Sequence, residues 1–333
     1  MIVNKFKNRA LITSLGLCLS LFSSASYATS KSLDQQEMQH FIDEMTRQHK
    51  FKRDELQALM DNARIRQTIL DAISRPAEAK PWYKYRTIFL NQARIDGGIK
   101  FWNENALTLK KASQHYGVPE EIMVAIIGVE TRYGRHKGSF PVIDSLATLA
   151  FAYPPRSDFF RSELKHFLLM TREEKIDPLK QMGSYAGAMG MPQFISSSFR
   201  SYAVDFDKDG FRDLWNSPAD AIGSVANYFK RHGWKKGEPV VAPVKTSGNK
   251  FKRLIGRELK PAWTYTQLKK HGIVFEQAYP GKQMGTLLEL DSGTRTPEYW
   301  VGWQNFYAIS RYNHSAHYSM AVYQLAQEIR KRR

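Results

Sequence analysis

The segment Ile122 to Gly134, IMVAIIGVETRYG, constrains this chain more than any other. Pro119 stands just ahead of it, and a fixed φ suits the first turn of a helix. Ile122, Ile126, Val129 and Tyr133 recur at helical spacing, with Met123 and Ile127 widening the stripe. The pattern predicts a buried helix, with Gly134 as its stop. Glu130 falls inside that stripe, four residues after Ile126. A glutamate is seldom fully buried without a partner or a task. Among apolar neighbours its charged form loses hydration and its pKa rises. A carboxyl that keeps its proton near neutral pH has the profile of a general acid. A second reading stands beside it: a helix-terminal glutamate paired with Arg132 or Arg135.

The start of the chain bears on where the protein works. Lys5, Lys7 and Arg9 precede an apolar run from Ala10 to Phe22, and Ser26-Tyr27-Ala28 supplies small residues for cleavage. Residues 1–28 thus read as a secretory signal peptide; the run is short for a transmembrane helix. Cys18 follows Leu17, where a lipobox needs a small residue, so it is assigned to the discarded segment. The mature chain, from near Thr29, then has no cysteine, and is expected to be a soluble periplasmic monomer held by packing without disulfides. Roughly 300 residues bury a large core and divide into two or three domains. Loss of the signal takes the net charge from +17 to +14. A basic surface suits an anionic partner, whether nucleic acid, anionic lipid or an acidic polymer; export argues against nucleic acid, and a merely solvated basic surface is the alternative.

Residues 31–116 carry helical stripes: Met38, Phe41, Ile42 and Met45; Leu56, Leu59 and Met60; Ile65, Ile69 and Ile73. Pro76 and Pro81 break the pattern ahead of the aromatic cluster Trp82, Tyr83 and Tyr85, which serves either a core or a sugar groove. One helix is expected from Ile99 to His115, ending at Gly117. Helices are also expected over 142–151 and 157–170, on either side of Tyr153-Pro154-Pro155-Arg156. The small-residue segment Ser184 to Phe194 permits close backbone approach, and Gln193 offers it an amide. It lacks phosphate-loop spacing.

Asp205, Asp207, Asp209 and Asp213, with Gly210 at position six and the Phe211 carbonyl at seven, match the first nine positions of an EF-hand loop. Asn216 stands at position twelve, where glutamate is usual, and Asp220 lies just beyond, at the start of a helix expected over 219–231. Asp205, Asp207, Asp209, Phe211 and Asp220 are therefore the expected ligands of one structural Ca2+; a solvated acidic turn is the alternative. No organic cofactor is expected. Residues 238–300 have a β texture, with strands expected over 240–244 and 286–290. A closing helix from Tyr318 ends in cations that suit a helix C-terminus. There is no internal repeat, no G-x-S-x-G elbow and no mature thiol, and the nine histidines lack zinc spacing.

Together these stretches resemble the lytic murein transglycosylases of the B type. The matching residues are Glu130-Thr131-Arg132-Tyr133-Gly134-Arg135, Gly187 to Gly190 with Gln193-Phe194, the aspartate loop before Leu214-Trp215, Ser224 to Phe229, and Arg311-Tyr312-Asn313. The resemblance covers nearly the whole mature chain in one order. It implies an α+β fold, mainly α: a lysozyme-like catalytic core at 111–236 and 301–318, a helical domain at 29–110 with the closing helix 319–333, and a small inserted β domain at 237–300. It implies cleavage of the N-acetylmuramic acid to N-acetylglucosamine bond of peptidoglycan, with Glu130 as sole catalytic acid. Ser184, Gln193, Tyr228, Tyr312, Asn313 and Tyr318 match groove positions, as do Tyr85 and Arg156. Two departures are visible. Pro155 precedes a lone Arg156 where the family often has paired arginines, and with Leu17 before Cys18 the lipid anchor of familiar members is not expected here. A hydrolytic muramidase and a non-catalytic wall-binding or calcium-binding protein remain as alternatives.

Overall fold

A computed structural model describes residues 23–75, 80–256 and 258–333, with side chains from residue 35 onward. The expected cleavage signal and Cys18 lie outside the residues whose side chains are described. No described helix is long and apolar enough to cross a membrane.

The described residues divide into two compact units, the first ending at Gln57 and the second beginning at Ala58. The first contains the helix Ser23–His49, and Phe41, Ile42 and Met45 of its apolar stripe are buried. The helical domain expected over 29–110 is therefore cut near Gln57, and its later part belongs to the larger unit. The reason is packing: the helices Gln92–Glu104 and Ala106–Tyr116 lie against Glu120–Thr131. These two replace the single helix expected over 99–115. Asn105 separates them, its side-chain Nδ2 donating to the Phe101 carbonyl at 2.8 Å; such local bonding competes with helix continuation. Gly117 does end the second helix, at φ 76°.

Glu120–Thr131 is the buried helix of the large unit. Residues 121–129 are all buried, and Pro119 caps the start. The stop comes three residues before the expected Gly134. Arg132, Tyr133 and Gly134 all have positive φ, 49°, 62° and 83°. Two side-chain devices hold this turn. Thr131 Oγ1 accepts from the Gly134 N–H at 3.0 Å. The Tyr133 ring fills space left open by Gly97, Gly98 and Gly128, where an added Cβ would come within 2.8 Å of that side chain.

The helices Val142–Phe151 and Ser157–Glu173 pack on each other, joined by a short turn at Pro154–Arg156. The buried Asp144 is paired with Arg66 at 2.6 Å and tethers the start of Gln67–Ser74 to this pair, as a buried charge requires.

The β region forms a five-stranded antiparallel sheet in the spatial order Trp263–Thr264, Met284–Leu290, Glu298–Gly302, Val241–Thr246, Ile273–Phe275. The last long strand runs two residues past the expected boundary at 300. One face covers a core of Phe251, Leu254, Leu268, Ile273 and Trp303. The sheet is not a detached module, because Val241, Leu288 and Leu290 share a second core with Trp82, Phe306 and Met320. The closing helix Ala316–Arg332 packs on Glu120–Thr131 and starts two residues before Tyr318.

Candidate functional site

Glu130 occupies the last turn of the buried helix. Its neighbours Val129 and Thr131 are buried, while Glu130 itself keeps a partly exposed surface. The Tyr318 hydroxyl donates a hydrogen bond to Glu130 Oε1. Neither Arg132 nor Arg135 pairs with it, so the ion-pair reading of Glu130 does not hold. Burial raises its pKa to about 7, and the Tyr318 bond pulls weakly the other way. No second carboxylate among the described residues contributes to that shift. The site therefore holds one acid, half protonated near neutrality.

Three tyrosines distant in sequence converge on it. Tyr318 comes from the first turn of the closing helix, where Ser315 Oγ accepts from its N–H at 3.3 Å. Burial, and after it the Glu130 charge, raises the hydroxyl pKa values of Tyr85, Tyr312 and Tyr318. These phenols are therefore neutral hydrogen-bond donors at any working pH. Tyr85 belongs to the helix Trp82–Phe89 and packs beside His317 at 5.5 Å. The aromatic cluster is divided: Trp82 is core, Tyr83 exposed, and Tyr85 close enough to Glu130 to feel its charge.

Tyr312 donates to the Pro192 carbonyl at 2.6 Å, and Tyr228 to the Arg311 carbonyl at 2.6 Å. Their rings lie 4.8 Å apart, with Phe194 against both. Gln193 is held at φ 52°, and its Nε2 donates to the carbonyls of Lys137 and Gly190 at 3.2 and 3.0 Å. Its Oε1 receives no hydrogen bond from the described residues. Ser184 acts on its own loop, where Oγ accepts from the N–H groups of Ala186 and Ala188 at 3.3 and 3.0 Å. Two expected groove residues are not joined to this cluster. Arg156 lies over the Phe159 ring at 4.4 Å, and Asn313 is exposed beside Tyr312.

The loop 184–194 is fixed from both sides, by contacts that the sequence motifs do not reveal. Thr131 Oγ1 donates to the Met191 carbonyl at 2.8 Å, tying the loop to the residue after Glu130. Lys137 Nζ donates to the Trp215 carbonyl at 2.6 Å, and Trp215 Nε1 to the Met182 carbonyl at 2.8 Å. Gly190, at φ 69°, lies so close to the Leu214 carbonyl that a Cβ would come within 2.5 Å. Only glycine meets both demands.

Leu214 and Trp215 follow the aspartate loop. Asp205, Asp207 and Asp209 gather one carboxylate oxygen each within 4.8 Å of one another. Asp205 Oδ1 accepts from the Asp209 N–H at 3.1 Å and Oδ2 from the Gly210 N–H at 2.9 Å, which folds the loop around the three acids. Gly210 has φ 97°. Three like charges at this separation repel unless a cation joins them, and an all-oxygen donor set fits a hard one. Beyond burial, the charge of nearby Asp207 helps raise the pKa of Asp220. It is fully buried, and its oxygens accept from the N–H groups of Phe206 and Asp213 at 2.7 and 2.8 Å. It closes the base of the loop and is not one of the three gathered oxygens. Burial, against those two hydrogen bonds, raises its pKa to about 6.

Residues 33–327 match the family model of the transglycosylase SLT domain. The chain is 45% identical over 301 residues, 87% of its length and 82% of the relative's, to membrane-bound lytic murein transglycosylase B of Escherichia coli K12. Its fold is similar to that of soluble lytic transglycosylase SltB1 from Pseudomonas aeruginosa: TM-score 0.85, 50% identity, covering 89% of this chain and 99% of that one. It also matches the Escherichia coli lytic transglycosylase SLT35 solved in complex with calcium, with TM-score 0.82, 44% identity, and coverage of 89% and 93%. The mainly helical α+β fold with a lysozyme-like core is thus that of a known group. This chain belongs to the SLT family and is a lytic transglycosylase.

Proposed function

We propose that the protein cleaves the β-1,4 bond between N-acetylmuramic acid and N-acetylglucosamine in peptidoglycan strands and leaves a 1,6-anhydromuramyl end, with Glu130 as the only acid and base. The observation that carries this reading is the solitary carboxyl with a pKa of about 7. Most glycosidases divide the work between two carboxyl groups. With one, protonated Glu130 gives its proton to the leaving glycosidic oxygen while C1 takes on oxocarbenium character. The resulting carboxylate then accepts the proton of the muramyl C6 hydroxyl as that oxygen bonds to C1. The enzyme returns to its starting protonation state, and no water is consumed. A pKa near 7 suits a group that must both give and take a proton.

Tyr318 holds the carboxyl in place. Tyr85 and Tyr312 add neutral phenols around it, and the Gln193 Oε1 is an acceptor for an acetamido N–H. Tyr228 braces Tyr312 from behind, and Ser184 shapes the loop. Arg156 and Asn313 are assigned to the outer groove, where they meet the strand away from the scissile bond. The name of the Escherichia coli relative, a murein enzyme, supports the substrate class. The basic mature chain suits an acidic wall polymer. A periplasmic site of action is proposed from the signal-like residues 1–28. A monomer is proposed, with no nucleic-acid partner.

We assign one structural Ca2+ to Asp205, Asp207, Asp209, the Phe211 carbonyl and Asp220, whose carboxylate also accepts from the N–H groups of Phe206 and Asp213. The calcium complex of the relative SLT35 supports the choice of ion. Neutralising these acids steadies Leu214 and Trp215, and through them the loop bearing Gln193. Mass spectrometry of the products released from purified sacculi tests the reading. Anhydromuramyl ends are expected; reducing muramic acid ends would make the protein a hydrolase.

A further inference from the structure

Beside the turn that follows Glu130 lies a pocket of about 220 Å3 that the glycan reading does not use. Arg94, Arg132 and Arg135 line it, with Asn91, Gly97 and Tyr133, and no carboxylate does. Arg94 is only 9% exposed. Its Nη1 donates to the carbonyls of Gly128 and Val129, and its guanidinium lies 5.3 Å from the centre of the Phe89 ring. Its other donors have no acceptor among the described residues, and none of the three arginines has an ion pair there.

The walls are built. Tyr133 donates to the Arg94 carbonyl at 2.6 Å and is itself wedged among three glycines. The left-handed backbone at Arg132 fixes where that residue leaves the chain. The helix Gln92–Glu104 begins at this pocket, its first turn capped by Asn91, and brings the positive end of its dipole. Three cations and a helix N-terminus meet here with no carboxylate; the Gly128 and Val129 carbonyls, at the end of Glu120–Thr131, partly offset Arg94. A buried cation without a counter-ion is costly. Burial, and after it the charge of Arg132, accordingly lowers the Arg94 pKa.

We propose that this pocket binds one small oxyanion, a carboxylate or phosphate group, clasped by Arg132 and Arg135 against Arg94. Guanidinium forks match two-oxygen anions in a bidentate way. The volume is below the roughly 300–1,000 Å3 of sites for drug-sized ligands, so it suits a single anionic group. Occupancy locks the Arg132–Gly134 turn to the Gln92–Glu104 helix, two residues from Glu130. Two sources share this chemistry: free inorganic phosphate, and a carboxylate of the peptides carried by wall glycans.

Calorimetric titration of the purified protein with inorganic sulfate, at ionic strength held constant with chloride, tests the site without relying on activity. One sulfate per chain is expected. The Arg132→Ala/Arg135→Ala variant, changed at two exposed positions, is expected to bind roughly a hundredfold more weakly, given the worth of charge-assisted hydrogen bonds. Arg135→Glu, which brings its own carboxylate to the pocket, is expected to abolish binding while melting cooperatively. No binding to the wild type, or equal binding by all three proteins, overturns the proposal. A second arm separates the sources. Sulfate that inhibits digestion of peptide-bearing strands but not of peptide-stripped strands identifies the occupant as a peptide carboxylate. Sulfate that binds without inhibiting either identifies it as a free anion.

Discussion

At Glu130 a single carboxyl sits among tyrosines and burial lifts its pKa to about 7. At Asp205, Asp207 and Asp209 three carboxylates share one loop, which leaves Asp207, Asp209 and Phe211 exposed. The first arrangement favours the protonated form, because the carboxyl is largely desolvated and no other carboxylate adds to its shift. The second brings three acids together, and like charges so close repel one another unless a cation joins them. The difference teaches that the residue type decides little. What decides is the number of neighbouring charges and their access to solvent. The two regions are also joined, because Leu214 and Trp215 carry the aspartate loop into contact with the loop of Gln193.

The sharpest way to break the contrast is to remove the proton. Glu130→Gln keeps the shape of the side chain and is expected to lower turnover of sacculi by roughly a hundred- to ten-thousand-fold, the usual share of one acid–base group. Near-normal release of soluble fragments by the purified variant would remove Glu130 from the mechanism. The same variant tests the pKa. Glu130 titrates higher in the folded chain than its ordinary 4.5, so the neutral form favours folding. That contribution is complete below about pH 4.5 and is lost as pH rises through about 7. Thermal melts should therefore lose more stability between about pH 5 and pH 8 in the wild type than in the variant.

Tyr318→Phe leaves Glu130 in place and deletes its hydrogen-bond donor. A roughly tenfold loss of kcat/KM is expected from one charge-assisted hydrogen bond. Because that bond lowers the Glu130 pKa, the alkaline fall of the pH–rate profile should move upward. A profile that stays in place would show that Tyr318 does not tune the acid.

On the other side of the comparison, Asp205→Ala is expected to erase the rise in melting temperature that calcium gives the wild type. A ligand at a hundred times its Kd stabilises by about 2.7 kcal/mol. Initial rates in the cold should change much less than the melting temperature. If EDTA leaves the wild-type melting curve unmoved, the loop is an acidic turn. The smallest effect is expected at Arg156, which lies away from the tyrosine cluster. Arg156→Ala should raise KM about two- to fivefold with kcat unchanged, in keeping with the modest worth of exposed charges.

Much of the fold was legible because its signals are local. Periodic isoleucines marked Glu120–Thr131, Gly117 marked a helix end, and Asp/Gly spacing marked the acidic loop. Glu130 was legible as a polar residue where the pattern demanded an apolar one. What sequence reasoning missed depends on distance. Thr131 bonds to residue 191, Lys137 to residue 215, and Arg94 to residue 128. None of these pairs leaves a periodic trace. Asp220 fits the numbering of a ligand, but its bonds to the N–H groups of Phe206 and Asp213 leave no trace in the sequence. The break at Asn105 was hidden because residues 99–115 read as one helix on either side of it.

The Tyr133 ring, wedged against Gly97, Gly98 and Gly128, bears on how portable the acid is. Residues 120–131 form a tidy helix, and they look like a cassette to be transplanted into another helical scaffold. A recipient lacking small residues at the positions facing the ring would push the phenol out and unwind the turn that ends the helix. The transferable unit is therefore discontinuous. A graft of Glu130 would have to carry Tyr133 and the glycine pair from the neighbouring helix, or the carboxyl would arrive without the backbone that aims it.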